Sequence, residues 1–184
     1  MTKTIGCDVD DLVANLIKTW LYVSNLEYND FAKEEDIKTW AIADYVKCGQ
    51  DIYKYLKQPE LYDMIEPVEG AKTGVDSLRS LGFKIVFITA STPEQSGRKY
   101  RWLCEHSMIQ NRKEYVEAID KSLILVDYLI DDNPDNFIST KGQGIVFTKE
   151  WNKTLTGYPK VNNWNDIVKY FINEKNKEIF YGRK

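Results

Sequence analysis

Two pairs of closely spaced aspartates carry the chemistry that the sequence suggests most directly. Asp8 and Asp10 follow one short apolar run, and Asp131 and Asp132 follow another. Asp8, at a strand end, could attack phosphorus and form an aspartyl phosphate. Asp10, in the turn that follows, could protonate the leaving oxygen and later deprotonate the attacking water. Asp131 would then hold a metal ion, with Asp132 as a second ligand or as an orienting neighbour.

Carboxylates gathered in one pocket need positive charge beside them. A pair about 4 Å apart repels by about 4 kcal/mol at an effective dielectric of about 20. Mg²⁺, which prefers one or two carboxylates together with phosphate and water, is the natural compensation. Lys121 offers an ammonium to a phosphoryl oxygen, and Thr89 or Ser91 offers a hydroxyl donor. Together these groups would form an electrostatic clamp for a transferring phosphoryl group.

These side chains can meet only if the segments before them are neighbouring strands. Short apolar runs predict buried strands, and apolar residues at helical spacing predict helices. The predicted strands span residues 5–9, 83–88, 116–119, 128–130 and 144–148, and the predicted helices span 12–26, 71–81, 98–105 and 164–171. This alternation predicts a doubly wound, mostly parallel α/β sheet, in which ligands bind beyond the carboxyl ends of the strands.

One segment does not fit the strand–helix alternation. Residues 27–64 are rich in charged and aromatic side chains, and we interpret them as a small helical cap inserted after the first strand and helix. The α/β core then comprises residues 1–26 and 65–184. For most of the cap's tyrosines and tryptophans, packing within the cap is the simpler interpretation.

Composition limits the classes of function. The 184 residues carry a formal net charge of -3, which gives no general reason to expect binding to duplex nucleic acid. An odd number of cysteines without CxxC spacing indicates free thiols in a reducing compartment. No apolar run is long enough for a membrane helix, and no secretory signal is recognisable, so we expect a cytoplasmic protein without membrane partners. The oligomeric state stays open, a homodimer included.

Each candidate residue also has an ordinary structural interpretation. An Asp-x-Asp pair after a strand is often a cap or a turn, and Asp131-Asp132-Asn133-Pro134 is a favourable turn sequence. Thr89 and Ser91 could cap a strand end, and Lys121 could lie at the surface. What these interpretations explain poorly is that all of the groups follow successive predicted strands.

The motifs resemble those of haloacid dehalogenase-type phosphatases, in order and over most of the chain. The resemblance is carried by Gly6-Cys7-Asp8-Val9-Asp10, by Thr89 after Phe87-Ile88, by Lys121, and by Ile130-Asp131-Asp132-Asn133-Pro134. The stretches Asp120-Lys121 and Tyr62-Asp63-Met64-Ile65-Glu66-Pro67-Val68-Glu69-Gly70-Ala71 are similar to those of 5'(3')-deoxyribonucleotidases. Two departures concern Thr89-Ala90-Ser91-Thr92-Pro93, where family members have Thr-Ser-Pro, and Asn133, where some have arginine.

The resemblance implies roles for particular residues. Asp8 is expected as nucleophile and Asp10 as acid and base. Mg²⁺ is expected on Asp8, Asp131 and the Asp10 backbone carbonyl, and phosphate on Thr89 and Lys121. The nucleobase pocket is expected near Leu16 and Leu61-Tyr62, with Trp40 and Tyr45 as further candidates in the cap.

The resulting expectation is a Mg²⁺-dependent phosphomonoesterase that hydrolyses nucleoside monophosphates, deoxyribonucleotides in particular, through an aspartyl phosphate. Two alternatives stay open. One is a related phosphatase for another small metabolite or for a polynucleotide 3'-phosphate. The other is a nucleotide-binding relative that retains the fold without turnover.

Overall fold

A computed structural model describes residues 2–138 and 140–181, with side chains up to residue 177 in the last helix. The outermost residues of the expected core, 1 and 184, lie outside this range. The described chain contains one parallel sheet with these strands: β1 (Thr4–Cys7), β2 (Lys84–Thr89), β3 (Tyr115–Glu117), β4 (Tyr128–Asp131), β5 (Gln143–Phe147) and β6 (Lys160–Val161).

The six strands lie in the order β3-β2-β1-β4-β5-β6, and every neighbouring pair is parallel. β1 therefore lies at the centre, with β2 on one side and β4 on the other. Cys7 pairs with Phe87 of β2 and with Ile130 of β4. The strand order reverses beside β1, which is where open α/β sheets form ligand crevices. The predicted doubly wound α/β fold is confirmed.

Four α-helices accompany the sheet: α1 (Leu16–Tyr28), α2 (Ala71–Ser80), α3 (Arg98–Glu105) and α4 (Trp164–Tyr181). Two boundaries differ clearly from the predicted ones. α1 begins at Leu16, not Leu12, because Asp11 adopts a left-handed φ of 56° that turns the chain before the helix starts. α4 continues past Phe171 to Tyr181. The two-residue β6 carries too little apolar pattern to be predicted.

Residues 27–64 contain the end of α1 and four 3₁₀ helices, which span Glu34–Asp36, Ile42–Tyr45, Gly49–Lys57 and Pro59–Met64. The segment packs on the remainder of the protein through buried side chains, among them Ile37, Ile52 and Tyr55, which join the main hydrophobic cluster. In the described residues, no helix is both long and apolar enough to cross a bilayer.

Candidate active site

The carboxylate of Asp8 lies close to those of Asp131 and Asp132 because β1 and β4 are parallel neighbours. The backbone N–H of Asp8 donates to the carbonyl of Ile130 at 3.0 Å, so the pairing continues to the point where Asp131 begins the acidic sequence. Asp8, Asp131 and Asp132 are all buried, and carboxylate oxygens from the three lie within 4.8 Å of one another. The acidic residues after two distant segments of the chain therefore form a single cluster.

Lys121 provides positive charge inside this cluster. It lies in the loop after β3, and its ammonium contacts Asp8 Oδ1 at 2.6 Å and Asp131 Oδ2 at 2.7 Å. The side chain is buried, and burial alone lowers the pKa of an ammonium. The carboxylates of Asp8 and Asp131 oppose that effect and raise the pKa of Lys121 above its ordinary value. Lys121 is therefore a fixed cation between the two carboxylates.

Lys121 alone does not neutralise the negative charge of these carboxylates. Burial, together with the charge of Asp131, raises the pKa of Asp8 to about 7 against the opposing effect of Lys121. Burial and the charge of Asp131 also raise the pKa of Asp132 well above its usual range. A cluster of buried oxygen ligands with excess negative charge is the donor set that a hard divalent cation such as Mg²⁺ prefers. The residues present fit that ion.

The turn after β1 directs Asp10 to a different set of partners. Asp11 takes the left-handed conformation that aspartate tolerates better than most residues, and its carboxylate accepts the N–H of Ile17 at 3.1 Å. This bond ties the turn to the first residues of α1. The Asp10 side chain keeps 23% of its surface exposed and accepts hydrogen bonds from Tyr62 and Lys99.

The two candidate hydroxyls occupy different surroundings. Thr89 ends β2 with a fully buried side chain, and its Oγ1 accepts from the ammonium of Lys99 at 3.0 Å. Ser91 Oγ is buried and has no hydrogen-bond partner in the described part of the chain. The residue between them, Ala90, lines the cavity beside Asp8, whereas neither Thr89 nor Ser91 does.

A cavity of about 290 Å³ opens above the acidic cluster. Asp8, Asp10, Lys121 and Asp132 contribute polar groups to its lining. Its apolar lining consists of Leu16, Ile17, Trp20, Trp40, Ile42, Ala90 and Ile119. The volume is close to the lower end of the range of about 300–1,000 Å³ that small-molecule sites occupy. The arrangement can therefore hold a compact ligand with a charged end and an apolar body.

Trp40, on the apolar side of the cavity, is connected to the acidic cluster through Trp151. Trp40 lies 5.2 Å from Trp151, measured between ring centroids. The indole N–H of Trp151 donates to Asp132 Oδ2 at 3.2 Å, and Asn152 donates to the Asp132 carbonyl at 2.7 Å. These two residues hold Asp132 in place.

Comparison with known proteins identifies the family. The sequence profile of the family described as 5' nucleotidase, deoxy (pyrimidine), cytosolic type C protein matches residues 2–177. The chain belongs to this nucleotidase family. A 5'(3')-deoxyribonucleotidase of Clostridium acetobutylicum is 31% identical over 163 residues, which cover 88% of this chain and 90% of that protein. Another, from Bacillus subtilis strain 168, is 28% identical and is covered over its whole length, with 94% of this chain.

Solved structures agree on the fold. A HAD family hydrolase from Deinococcus radiodurans R1, with bound phosphate and sodium, superimposes with a TM-score of 0.60 at 11% identity. The superposition covers 95% of this chain and 96% of that one. The predicted haloacid dehalogenase-type fold is thus confirmed. The matching family model and the curated relatives make the chain a phosphoric monoester hydrolase of the nucleotidase family.

Among the residues predicted for the base pocket, Leu16 and Trp40 line the cavity of this nucleotidase-family protein, whereas Tyr45, Leu61 and Tyr62 do not. Tyr62 is buried, and its hydroxyl donates to Asp10. Lys99, Trp20 and Trp151 are not among the site residues predicted from the sequence. Lys99 left a detectable signal, because it precedes the buried Trp102 and Leu103 by three and four residues and so shares their buried helical face. A lysine on such a face needs a charged partner.

Proposed function

We propose that the protein is a Mg²⁺-dependent phosphomonoesterase that hydrolyses deoxyribonucleoside monophosphates through an aspartyl phosphate on Asp8. One observation carries the proposal: Asp8 lies at the meeting point of the acidic cluster, the Lys121 ammonium and a cavity with an apolar wall. A phosphoryl group placed there would meet a nucleophile and a cation, while the rest of the ester would meet aromatic side chains.

Mg²⁺ would be held by Asp8, Asp131 and the backbone carbonyl of Asp10, with Asp132 as a further ligand or an orienting neighbour. When bound, the ion would withdraw negative charge from the phosphoryl oxygens. The fit rests on the donor chemistry, since buried carboxylate oxygens from three residues lie within 4.8 Å of one another, and Lys121 contacts only two of them, Asp8 and Asp131.

The protein's own groups supply the remaining steps. An Asp8 carboxylate oxygen attacks phosphorus, and the bond to the leaving oxygen breaks. Asp10 gives a proton to that oxygen, then takes one from the water that hydrolyses the aspartyl phosphate. Lys121 and the hydroxyl at the end of β2, from Thr89 with Ser91 as the alternative, stabilise the charge of the transferring group. Lys121 also favours the ionised form of Asp8 that the attack requires.

The cavity wall supports a nucleoside as the leaving group. Stacking of a base on an aromatic side chain contributes about 1–3 kcal/mol in nucleic-acid binders. Trp40 keeps 41% of its surface exposed and borders the cavity beside Trp20 and Leu16. Relatives named 5'(3')-deoxyribonucleotidase, and a family description that specifies pyrimidines, support deoxypyrimidine nucleotides as the first substrates to test. The unpaired cysteines agree with the expected reducing, cytoplasmic compartment.

The test is a panel of phosphate esters with Mg²⁺, containing deoxy- and ribonucleoside monophosphates, sugar phosphates and a 3'-phosphorylated oligonucleotide. We expect the highest kcat/KM on deoxyribonucleoside 5'- or 3'-monophosphates, and no turnover in excess chelator. Asp8→Asn should abolish turnover and phosphoenzyme formation without loss of folding. Asp44→Asn, at an exposed aspartate of the 27–64 segment, is the matched control.

Three outcomes would count against the proposal. A clear preference for a sugar phosphate or for the oligonucleotide would establish the alternative substrate class. Turnover by Asp8→Asn would contradict the covalent step. Absence of hydrolysis by the wild-type protein on every ester would indicate a binding protein that retains the fold.

A further inference from the structure

Lys99 is a buried lysine that has no role in the proposed reaction as described so far. It lies in α3 and keeps only 1% of its surface exposed. Lysines are almost never buried unless their charge is paired. The Lys99 ammonium contacts Asp10 Oδ2 at 2.5 Å, Thr89 Oγ1 at 3.0 Å and the Ala90 carbonyl at 2.6 Å. Its three N–H groups therefore donate to the turn after β1 and to the end of β2.

Asp10 is held from two sides. Lys99 occupies one carboxylate oxygen, and the Tyr62 hydroxyl donates to the other, Oδ1, at 2.7 Å. Both partners are buried, whereas Asp10 keeps one edge open to the cavity. Two donors fixed in the protein interior select one orientation of a carboxylate that would otherwise sample several rotamers.

Lys99 and Tyr62 are themselves held in place by contacts of Trp102. The indole N–H of Trp102, one turn after Lys99, donates to the Ile65 carbonyl at 2.8 Å. The Trp102 ring also packs edge-on against Tyr62, with 6.1 Å between ring centroids. α3 is thereby joined to the end of the 27–64 segment beside Tyr62. A shift of Lys99 or Tyr62 relative to Asp10 would disturb these contacts as well.

The bond to Thr89 gives Lys99 a second effect. Because the ammonium donates to Thr89 Oγ1, the proton of that hydroxyl stays free for a different acceptor. The acceptor in this structure is the Ala90 carbonyl, at 3.2 Å. A phosphoryl oxygen could take its place. Lys99 thus holds the proposed acid–base group and the proposed phosphate-binding hydroxyl in a fixed arrangement relative to each other.

We propose that Lys99, together with Tyr62, is the positioning device that aims the Asp10 carboxylate at the leaving oxygen and later at the attacking water. The inference rests on the proposed function, since it requires Asp10 to transfer protons. Neither residue lines the cavity, so both act through Asp10 and are positioning residues.

Two substrates with different leaving groups test the role. A deoxynucleoside monophosphate expels an alkoxide that needs a proton, whereas p-nitrophenyl phosphate expels a stable phenolate. Lys99→Met should lower kcat on the nucleotide by about 10²–10⁴-fold, the range that acid–base catalysis supplies, with little change in KM. With p-nitrophenyl phosphate the first step should stay fast and hydrolysis of the phosphoenzyme should slow. Stopped-flow traces should then show a burst of p-nitrophenolate approaching one equivalent per active site.

Tyr62→Phe removes a single oxygen and carries the same test if Lys99→Met fails to fold. It should lower nucleotide kcat by about ten- to a hundredfold and produce the same burst. Lys72→Met, at a partly exposed lysine of α2, and Tyr55→Phe, at a buried tyrosine bonded to Glu27, are the controls and should match the wild type.

The results separate the inference from the proposed function. Equal loss on both esters without a burst, or no loss in either variant, would overturn the positioning role while leaving the phosphatase proposal intact. A wild-type protein that hydrolyses neither ester would overturn the proposed function and the inference together.

Discussion

Replacing Lys121 with methionine should destabilise the metal-free protein strongly. The ammonium lies 2.6 Å from Asp8 and 2.7 Å from Asp131, and all three side chains are at least nine-tenths buried. At an effective dielectric of about 20, each contact is worth about 6 kcal/mol before the cost of desolvation is subtracted. Breaking a buried pair by removing one partner costs about 3–5 kcal/mol after that subtraction. For a domain of this size, this free energy corresponds to a decrease in Tm of roughly 6–20 °C.

The loss should depend on pH in a defined direction. Asp8 has a pKa raised to about 7, and Lys121 is the group that most opposes the rise. In Lys121→Met the pKa of Asp8 rises further, so Asp8 of the folded variant stays protonated up to a higher pH. A carboxylate whose folded pKa exceeds its unfolded value lowers stability as pH rises between the two values. The gap in Tm between variant and wild type should therefore widen from about pH 6 to about pH 8.

Thermal unfolding followed by circular dichroism, in chelator and in Mg²⁺, measures these effects. Mg²⁺ should restore part of the lost stability, because a bound cation also compensates the carboxylates, but it should not restore turnover. Lys72→Met, which removes a partly exposed lysine bonded to Asp76, should change stability by less than about 1 kcal/mol. If Lys121→Met in chelator unfolds at the wild-type temperature at every pH, the argument from charge compensation is wrong.

Two further predictions concern the surroundings of the site and the packing of the fold. Trp151→Phe keeps a ring beside Trp40 but removes the N–H bond to Asp132, so Mg²⁺ affinity measured by calorimetric titration should fall about tenfold; unchanged affinity would show that the bond does not orient Asp132. Gly74→Ala would place a Cβ 2.3 Å from Trp164 Cε3, and this overpacking should cost about 1–3 kcal/mol in urea unfolding, whereas Ser77→Ala on the same helix should cost little. A Gly74→Ala variant as stable as the wild type would show that Trp164 can shift.

The sheet could be predicted because its inner strands are buried on both faces. β1, β2, β4 and β5 are short apolar runs, and chain order together with parallel pairing brings Asp8 and Asp131 to the same edge. β6 could not be predicted, since it has only two residues. The start of α1 was misplaced because Leu12, Val13 and Ala14 are apolar in a turn and bury their side chains as helical residues would.

The 27–64 segment shows where local patterns fail. Some of its apolar residues, such as Ile37 and Ile52, are buried, whereas Phe31 and Met64 are exposed. The backbone forms 3₁₀ turns, whose period differs from that of an α-helix. Tyr62 illustrates the consequence for the site. The sequence indicates an aromatic residue near the pocket, and only tertiary structure reveals that its hydroxyl reaches Asp10. A role for Tyr62 in base binding stays a prediction beside the positioning role.

Two lysines divide the acidic residues of the site into separate sets. Among the described residues, Lys99 and Lys121 are the buried lysines, and each reaches the site from a different element. Lys121 contacts Asp8 and Asp131, the proposed nucleophile and metal ligand, whereas Lys99 contacts Asp10, the proposed acid and base. Carboxylates gathered in one site repel one another, and each lysine offsets this repulsion for different carboxylates. Fixed partners of opposite charge keep their tasks distinct, and this separation is why loss of either lysine should produce a different kinetic defect.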